Sequence, residues 1–242
     1  PLQDEAGQSL HVSGKFLFAV YPRRGGHSPE PQGETLRQLG RSLGKLHAVG
    51  AIRRFRHRQS LGLDNFGRAS RDFLLEKDFI PAELVPAYES LADGLLERMA
   101  QLLASHDGLR SLRLHGDCHV GNILWREDSV YLVDFDDCIN GPAVQDLWML
   151  LSGERDQRMQ QLSELIEAYS MFHDFHPAEL GLIETLRTLR LMHYSAWLAR
   201  RWSDPAFPYS FPWFNTGRYW SEHILALREQ MAALDEPPLA LY

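Results

Sequence analysis

Residues 113–151 read RLHGDCHVGNILWREDSVYLVDFDDCINGPAVQDLWMLL, and this stretch carries the strongest structural signal in the chain. Asp117 is followed by Asn122 five residues later, and Asp134 comes a further twelve residues on. The apolar runs NILW and VYLVDF flank these polar positions and predict two strands joined by a turn at 126–129. Because such a strand pair returns the chain to the end where it began, we expect the three polar side chains to converge.

This spacing is typical of phosphoryl transfer. The amide oxygen of Asn122 and the carboxylate of Asp134 suit Mg²⁺, which prefers oxygen ligands and keeps substrate phosphates in its shell. Transfer from ATP needs metal-held phosphates and a carboxylate near the acceptor hydroxyl. The kinase catalytic-loop pattern H-R-D-x-x-x-x-N, followed by a metal-binding Asp, supplies those groups, and the sequence matches it with Gly116 in place of Arg. Asp and Asn also favour turns, but a turn alone does not explain the complete arrangement.

The same stretch predicts a kinase without activation-loop switching. In regulated protein kinases the Arg of this pattern holds a phosphorylated activation loop, and Gly116 lacks that group. Asp134 is followed by Phe-Asp-Asp, where regulated protein kinases have Phe-Gly, and no Ala-Pro-Glu comes after it. Only eleven residues separate Asp134 from Asp146, which is too few for a long activation loop.

The rest of the chain predicts a helical domain on which the catalytic hairpin is set. Residues 10–20 are expected to form a strand pair, and the Gly- and Pro-rich segment after them a hinge. The basic segment 53–67 is expected to be irregular. A short strand is predicted at 112–114, and the hairpin strands at 122–125 and 130–135. Helices are predicted, from apolar residues three and four apart, at 34–49, 82–105, 143–152, 156–172, 178–202 and 217–234.

The runs HGDCHVGNILW, VDFDD and NGPAVQDLWMLL resemble the aminoglycoside phosphotransferase/choline kinase superfamily. The segments IEAYSMFHDF, HYSAWLARRWSDPAFP and EPPLALY are similar to the bacterial stress-response Ser/Thr protein kinases of that superfamily, so the resemblance covers nearly the whole chain. It implies an α+β, protein-kinase-like fold of the aminoglycoside phosphotransferase type. Residues 1–22 would then be the end of the N-lobe and the hinge, and residues 23–242 the helical catalytic C-lobe, with most of the N-lobe absent from this chain.

The resemblance also assigns roles to individual residues. It implies Asp117 as the catalytic base and Asp134 as a second catalytic carboxylate, with His115 orienting the loop. Asn122 and Asp134 are the implied Mg²⁺ ligands and nucleotide contacts, and Tyr21 in the hinge is a further candidate contact for ATP. The implied role of Asp146 is structural, bracing the catalytic loop from the following helix.

Two alternatives concern metals. Asp136 lies two residues after Asp134, hence on the same face of the predicted strand, and is a candidate second metal contact. His115, Cys118 and His119 offer the ligand types of a zinc site, although these side chains need not converge on a tight loop.

The superfamily carries a Gly-rich loop, a phosphate-binding Lys and its Glu partner before the hinge, and these are expected upstream of Pro1. Lys15 lies too close to the hinge for that role and is interpreted as an ordinary edge lysine. On this interpretation the chain by itself binds nucleotide poorly and transfers phosphate barely.

Three other groups of residues have two interpretations each. His47 is expected to be a core histidine with its hydrogen bonds satisfied. The basic run is interpreted as a solvated loop, with docking of an acidic substrate as the alternative; it comprises Arg53, Arg54, Arg56 and Arg58. A further set either lines the acceptor groove or packs between helices; it comprises Tyr194, Trp197, Arg200 and Arg201.

Composition narrows the function. The formal charge of −7 argues against a general nucleic-acid binder. Two cysteines suit a reducing cytosol, and no apolar run approaches the roughly 18 residues of a membrane span. We therefore expect a cytoplasmic, monomeric, ATP- and Mg²⁺-dependent protein Ser/Thr kinase. The alternatives are a small-molecule kinase for an amino-alcohol or aminoglycoside, and a non-catalytic binding module.

Overall fold

A computed structural model describes residues 1–106 and 108–241, so that Tyr242, the end of the predicted C-lobe, lies outside the described residues. The strands are β1 (His11–Ser13), β2 (Phe16–Phe18), β3 (Leu112–Leu114), β4 (Ile123–Arg126), β5 (Ser129–Leu132) and β6 (Ile139–Gly141). The helices are α1 (Gly33–Gly50), α2 (Ala69–Glu76), α3 (Val85–Ser105), α4 (Gln145–Trp148), α5 (Arg155–Tyr169), α6 (Ile183–Arg201), α7 (Ala206–Ser210) and α8 (Gly217–Ala233).

The strands form three antiparallel pairs, β1 with β2, β3 with β6, and β4 with β5. In the β4–β5 hairpin the two turn residues Glu127 and Asp128 have φ values of 50° and 54°. Positive φ at both central residues gives the turn a twist that matches the flanking strands. The hairpin predicted from sequence is therefore confirmed, and its second strand returns the chain towards the loop that contains Asp117.

The second hairpin strand is shorter than predicted. It was expected to run to Phe135, but β5 ends at Leu132 because Asp134 adopts φ 61°, a left-handed conformation that no strand accommodates. The chain then turns and returns as β6, which pairs with β3 and was not predicted. Asp134 thus lies in a loop between two strands.

The core consists of two apolar clusters. The first joins α1, α4 and α5 with β3 and β6 beneath the catalytic loop, and α1 contributes the predicted stripe Leu36, Leu39 and Leu43, each at most 1% exposed. Gly40 and Gly44 of the same helix lie against the backbone of α5, where a Cβ atom would collide with carbonyl oxygens. The second cluster joins α2, α3, α6 and α8.

Most of the predicted helices are confirmed, with local signals at their ends. Glu154 and Gln157 form a capping box at the start of α5, and the Thr216 hydroxyl accepts a hydrogen bond from Tyr219 N at the start of α8. The helix expected at 143–152 is only the short α4. The segment expected to be irregular includes a π-helical stretch, Leu63–Arg68, which leads into the unpredicted α2.

Two further features concern the surface. No helix in the described ranges is both long and apolar enough to cross a membrane. The β1–β2 pair exposes large apolar side chains, among them Val12 at 70% and Leu17 at 66%.

Candidate active site

Asp146 holds the catalytic loop in place. It is fully buried, and its two carboxylate oxygens accept hydrogen bonds of 2.8 Å from the backbone N–H groups of His115 and Gly116. His47 Nε2 lies 2.9 Å from Asp146 Oδ2, and His47 Nδ1 lies 3.0 Å from the Tyr169 hydroxyl. These contacts confirm that Asp146 braces the loop and that His47 is a satisfied core histidine.

Gly116 has a conformation that an arginine could not adopt without strain. Its φ is 88°, and a Cβ atom would collide with the carbonyl oxygen of Asp137. The difference from the protein-kinase pattern is therefore built into the loop backbone, where the chain passes against the segment after Asp134.

His115 is fully buried and orients the loop, as expected from sequence. Its Nε2–H donates to the Val133 carbonyl at 2.8 Å, and its Nδ1 accepts a 3.4 Å contact from Asp117 N. The ring also packs on Phe135, with centroids 4.7 Å apart. Both ring nitrogens are thus used within the protein, which removes His115 as a ligand for the zinc alternative.

Asp117 lies at the end of this loop, and each of its two carboxylate oxygens contacts a neighbouring side chain. Asn122 Nδ2 donates to Asp117 Oδ2 at 3.2 Å and to the Asp117 carbonyl at 3.0 Å, and His119 Nε2 lies 3.4 Å from Oδ2. Arg190 Nη1 lies 2.5 Å from Oδ1. The two side chains form an ion pair. Oδ1 is buried, and the Arg190 guanidinium is its partner among the described residues.

Asn122 and Asp134 each offer an oxygen for the metal site expected from the sequence, and their role as ligands stays a prediction. The Asn122 amide nitrogen is bonded to Asp117, which leaves its oxygen as a ligand, and the Asp134 carboxylate is exposed. Within residues 1–106 and 108–241 neither of these oxygens accepts a hydrogen bond from a protein donor. Mg²⁺ takes few protein ligands and completes its shell with water and phosphate oxygens, so two such groups suffice.

The electrostatics around these carboxylates also favour a cation. Burial raises the pKa of Asp137, and the negative charges of Asp117 and Asp134 raise it further, while Arg190 acts in the opposite direction. Several carboxylates therefore lie close enough together in this region to repel one another.

The prediction that Asp136 shares a strand face with Asp134 is wrong. The strand ends before both residues, and the left-handed conformation of Asp134 redirects the chain. The Asp136 carbonyl accepts a hydrogen bond from Arg58 Nη1, which also donates to the Cys138 carbonyl at 3.1 Å. Arg58 therefore anchors the loop after Asp134, while Arg53, Arg54 and Arg56 are exposed, as expected of a solvated segment.

A cavity of about 700 Å³ opens beside Asp117. Its walls come from the catalytic loop, from the segment before α2 and from one face of α6. The four residues of α6 that sequence suggested for an acceptor groove all line it; they are Tyr194, Trp197, Arg200 and Arg201. Trp197 also packs against Phe207 and Phe211, so both interpretations of that residue hold.

Three contributors to the site were not found from the sequence. Arg190 and Asp137 line the cavity next to Asp117, and Gln145 Nε2 donates to the Gly116 carbonyl at 3.1 Å. Arg190 could have been predicted from the sequence. It precedes Tyr194 by four residues and Trp197 by seven, which places all three on one helix face. Tyr21 lies 64% exposed after β2, and its contact with ATP stays a prediction.

The family follows from comparison with known proteins. Residues 2–183 match the model of the "Phosphotransferase enzyme family". The chain belongs to this family. Stress response kinase A of Escherichia coli (strain K12) is 44% identical over 236 residues, which cover 97% of this chain and 71% of that protein. Because it belongs to this family and is similar to a stress response kinase, the protein is a kinase.

Two further relatives extend the comparison. A Salmonella typhimurium protein named serine/threonine protein kinase RdoA is 42% identical, again over 97% of this chain and 71% of that protein. Amicoumacin kinase hAmiN, solved in complex with AMP-PNP, Ca²⁺ and Ami, has a TM-score of 0.61 at 17% identity and covers 98% of this chain and 71% of its own. That likeness confirms the kinase-like α+β fold.

Proposed function

We propose that the protein transfers the γ-phosphoryl group of ATP to Ser or Thr hydroxyls of a protein acceptor. The observation that carries the proposal is the Asp117 carboxylate, which Asn122 and Arg190 hold at the edge of a cavity large enough for an acceptor side chain. A carboxylate so placed accepts or orients the proton of a hydroxyl in phosphoryl transfer.

The proposed reaction needs few groups from the protein. The acceptor oxygen forms a bond to the γ-phosphorus, the bond from that phosphorus to the bridging oxygen of ADP breaks, and the hydroxyl proton passes to Asp117. Asn122 and Asp134 would hold Mg²⁺, which supplies positive charge at the phosphates. Asp146 and His115 keep the loop fixed, so Asp117 is preorganised for its role.

The α6 wall of the cavity favours a protein acceptor over the cationic small molecules of the alternative. The catalytic end of the cavity is acidic, with Asp117, Asp136 and Asp137, but its α6 wall carries Arg200 and Arg201, which would repel an amino-alcohol or aminoglycoside there. The name of the Salmonella typhimurium relative supports the same choice. The name of the Escherichia coli relative supports a role in a bacterial stress response, and we propose that the protein acts in the cytoplasm.

We also propose that residues 1–22 are the end of an N-lobe and the hinge, and that ATP binds between this segment and the β4–β5 hairpin. Few contacts join residues 1–22 to the rest of the described residues. His27 pairs with Trp125 of β4 just beyond it, and the apolar side chains of β1 and β2 are exposed.

The test is a transfer assay with radiolabelled γ-phosphate and Mg²⁺ on the full-length protein and its Asp117→Ala variant. A mixed protein acceptor, choline and an aminoglycoside are offered in parallel, and labelled protein is hydrolysed to identify the amino acid. We expect label on Ser or Thr that is lost in the variant. Label on the small molecules alone, or no transfer that depends on Asp117, would overturn the proposal.

A further inference from the structure

The face of α6 that lines the cavity changes character along its length. Arg190, Tyr194, Trp197 and Arg201 are spaced by four, three and four residues, which keeps all of them on one side of the helix. Arg190 is paired with Asp117 at one end. Arg201 lies at the other end, about 16.5 Å away along the helix axis, because each of the eleven residues adds about 1.5 Å.

The positive charge at the far end has no acidic partner within residues 1–106 and 108–241. Among the ion pairs of the described residues, none includes Arg200 or Arg201. The Arg200 guanidinium donates to the Ala69 carbonyl at 2.9 Å, and that of Arg201 lies over the Trp197 ring, 4.5 Å from its centroid. Both side chains are thus held in place by neutral groups, and their charges stay available.

The positive charge of these arginines lowers the pKa values of neighbouring groups. Burial, together with the charges of Arg200, Arg201 and Arg190, lowers the pKa of His193 to about 4. The pKa of Arg200 is also lowered, by burial first and then by Arg201. The carboxylates that line the cavity, Asp117, Asp136 and Asp137, all belong to the opposite, catalytic end.

Between the two ends lies an aromatic surface. The rings of Tyr194 and Trp197 are nearly parallel, with an interplanar angle of 9° and centroids 6.1 Å apart, and Tyr194 is 39% exposed. Aromatic faces of this kind contact backbone and side-chain atoms of a bound peptide without demanding one sequence. The wall therefore offers a track that leads from Asp117 to the arginines.

We propose that Arg201, with Arg200 beside it, binds an acidic side chain of the protein acceptor about four or five residues away from the phosphorylated Ser or Thr, since an extended chain advances about 3.3 Å per residue. This inference rests on the proposed function, and it makes the kinase selective for acidic segments. Guanidinium groups suit carboxylates because they donate two parallel hydrogen bonds.

The experiment measures peptide binding, which requires neither ATP nor Asp117. Fluorescein-labelled Ser peptides with neutral flanks carry two Asp residues four and five positions after the Ser, or four and five positions before it. Matched peptides carry Asn or Lys at those positions. Fluorescence anisotropy titrations at low ionic strength compare the full-length protein with Arg201→Gln, Arg201→Glu and the control Arg228→Glu, an exposed charge on α8 outside the cavity.

We expect the wild-type protein to bind one of the Asp peptides roughly three- to tenfold more tightly than its Asn partner, a range typical of partly exposed charge pairs. Arg201→Gln loses this preference, Arg201→Glu shifts it towards Lys, and Arg228→Glu keeps it. Equal binding of Asp and Asn peptides, or a preference that survives in Arg201→Gln, would overturn the inference. Transfer that depends on Asp117 but ignores peptide charge would leave the proposed function standing while rejecting this site.

Discussion

The Asp146 carboxylate connects the catalytic loop to the helical core at the scale of single residues. It accepts hydrogen bonds from two consecutive backbone N–H groups, those of His115 and Gly116, and contacts His47 from α1. His47, His115 and Asp146 are buried and Gly116 is half-buried, so removal of the carboxylate would leave several polar groups without partners. Asp117 is therefore positioned by a residue twenty-nine positions later that never touches the acceptor.

Replacing Asp146 by Ala is expected to lower the free energy of unfolding by about 3–5 kcal/mol, the range seen when one partner of a buried charged network is removed. Urea denaturation measures this change. Asp174→Ala serves as the control, because Asp174 is exposed in the loop after α5. A loss no larger than that of the control would show that the loop does not depend on Asp146.

Gly116→Ala is expected to abolish most of the phosphoryl transfer. The new methyl group would meet the Asp137 carbonyl at a backbone position with φ 88°, so either the loop or the segment after Asp134 must move. Transfer rates and the melting temperature should both fall. Retention of the wild-type rate would contradict the close packing of these two segments.

At the scale of elements, close helix contact explains why α1 contains glycines that its intrinsic preference disfavours. Gly40 and Gly44 face the backbone of α5 from Leu165 to Tyr169, and a Cβ atom at either position would meet a carbonyl oxygen. The contact brings His47 of α1 to Tyr169 of α5 and, through His47, to Asp146. The helix pair thus supports the catalytic loop from below.

Gly44→Ala is expected to reduce stability by more than about 1 kcal/mol, although alanine in an unhindered helix interior adds a stabilisation of that size. The matched control is Gly94→Ala in α3, where the new methyl group meets only the end of the flexible Met231 side chain. Chemical denaturation of both variants gives the comparison. If Gly44→Ala were as stable as the control, the close approach of α1 and α5 would be wrong.

The β4–β5 turn offers a stabilising change. Glu127 and Asp128 both have positive φ, a conformation that Asn and Gly adopt at lower energy. The double substitution Glu127→Asn with Asp128→Gly is expected to raise the free energy of unfolding by about 1 kcal/mol. A thermal midpoint that stays the same or falls would argue against this turn geometry.

At the scale of the whole molecule, the sequence predicted the elements whose signals are local. Leucines at helical spacing in α1 and the hairpin around residues 126–129 gave their positions directly. The strand β6 could not be predicted, because its three residues form a strand only through pairing with β3, twenty-five residues or more earlier in the chain. The left-handed Asp134 was missed because VYLVDF has a continuous strand pattern, whereas the chain after Asp134 turns to pack against Gly116, a contact distant in sequence.

The buried Glu179 carboxyl should make the free energy of unfolding depend on pH. Burial raises its pKa to about 7, from a value near 4.5 in the unfolded chain, although hydrogen bonds from Val144 and Ala143 N–H groups oppose the shift. The folded state therefore binds the proton more tightly, and stability falls as pH rises from 4.5 to 7. Half-buried His193 and buried His223, with pKa values lowered to about 4, change stability in the opposite direction as pH rises.

The contribution of Glu179 is isolated by comparison with Glu179→Gln, because both proteins contain the same histidines. The wild type is expected to lose about 3 kcal/mol relative to the variant between pH 4.5 and 7, at about 1.4 kcal/mol per unit of pKa difference. Urea denaturation at a series of pH values measures the difference. Parallel stability curves would contradict a raised pKa for this group.

The most direct test of the catalytic site is the single-turnover rate of phosphoryl transfer from ATP by the full-length protein, by Asp117→Asn and by the control Asp128→Asn. Both variants replace a carboxylate by an amide of the same shape, but only Asp117 faces the cavity. We predict a fall of about a hundredfold or more for Asp117→Asn, the loss typical of a missing general base, and the wild-type rate for the control. A wild-type rate in Asp117→Asn would contradict the assignment of Asp117 as the catalytic carboxylate.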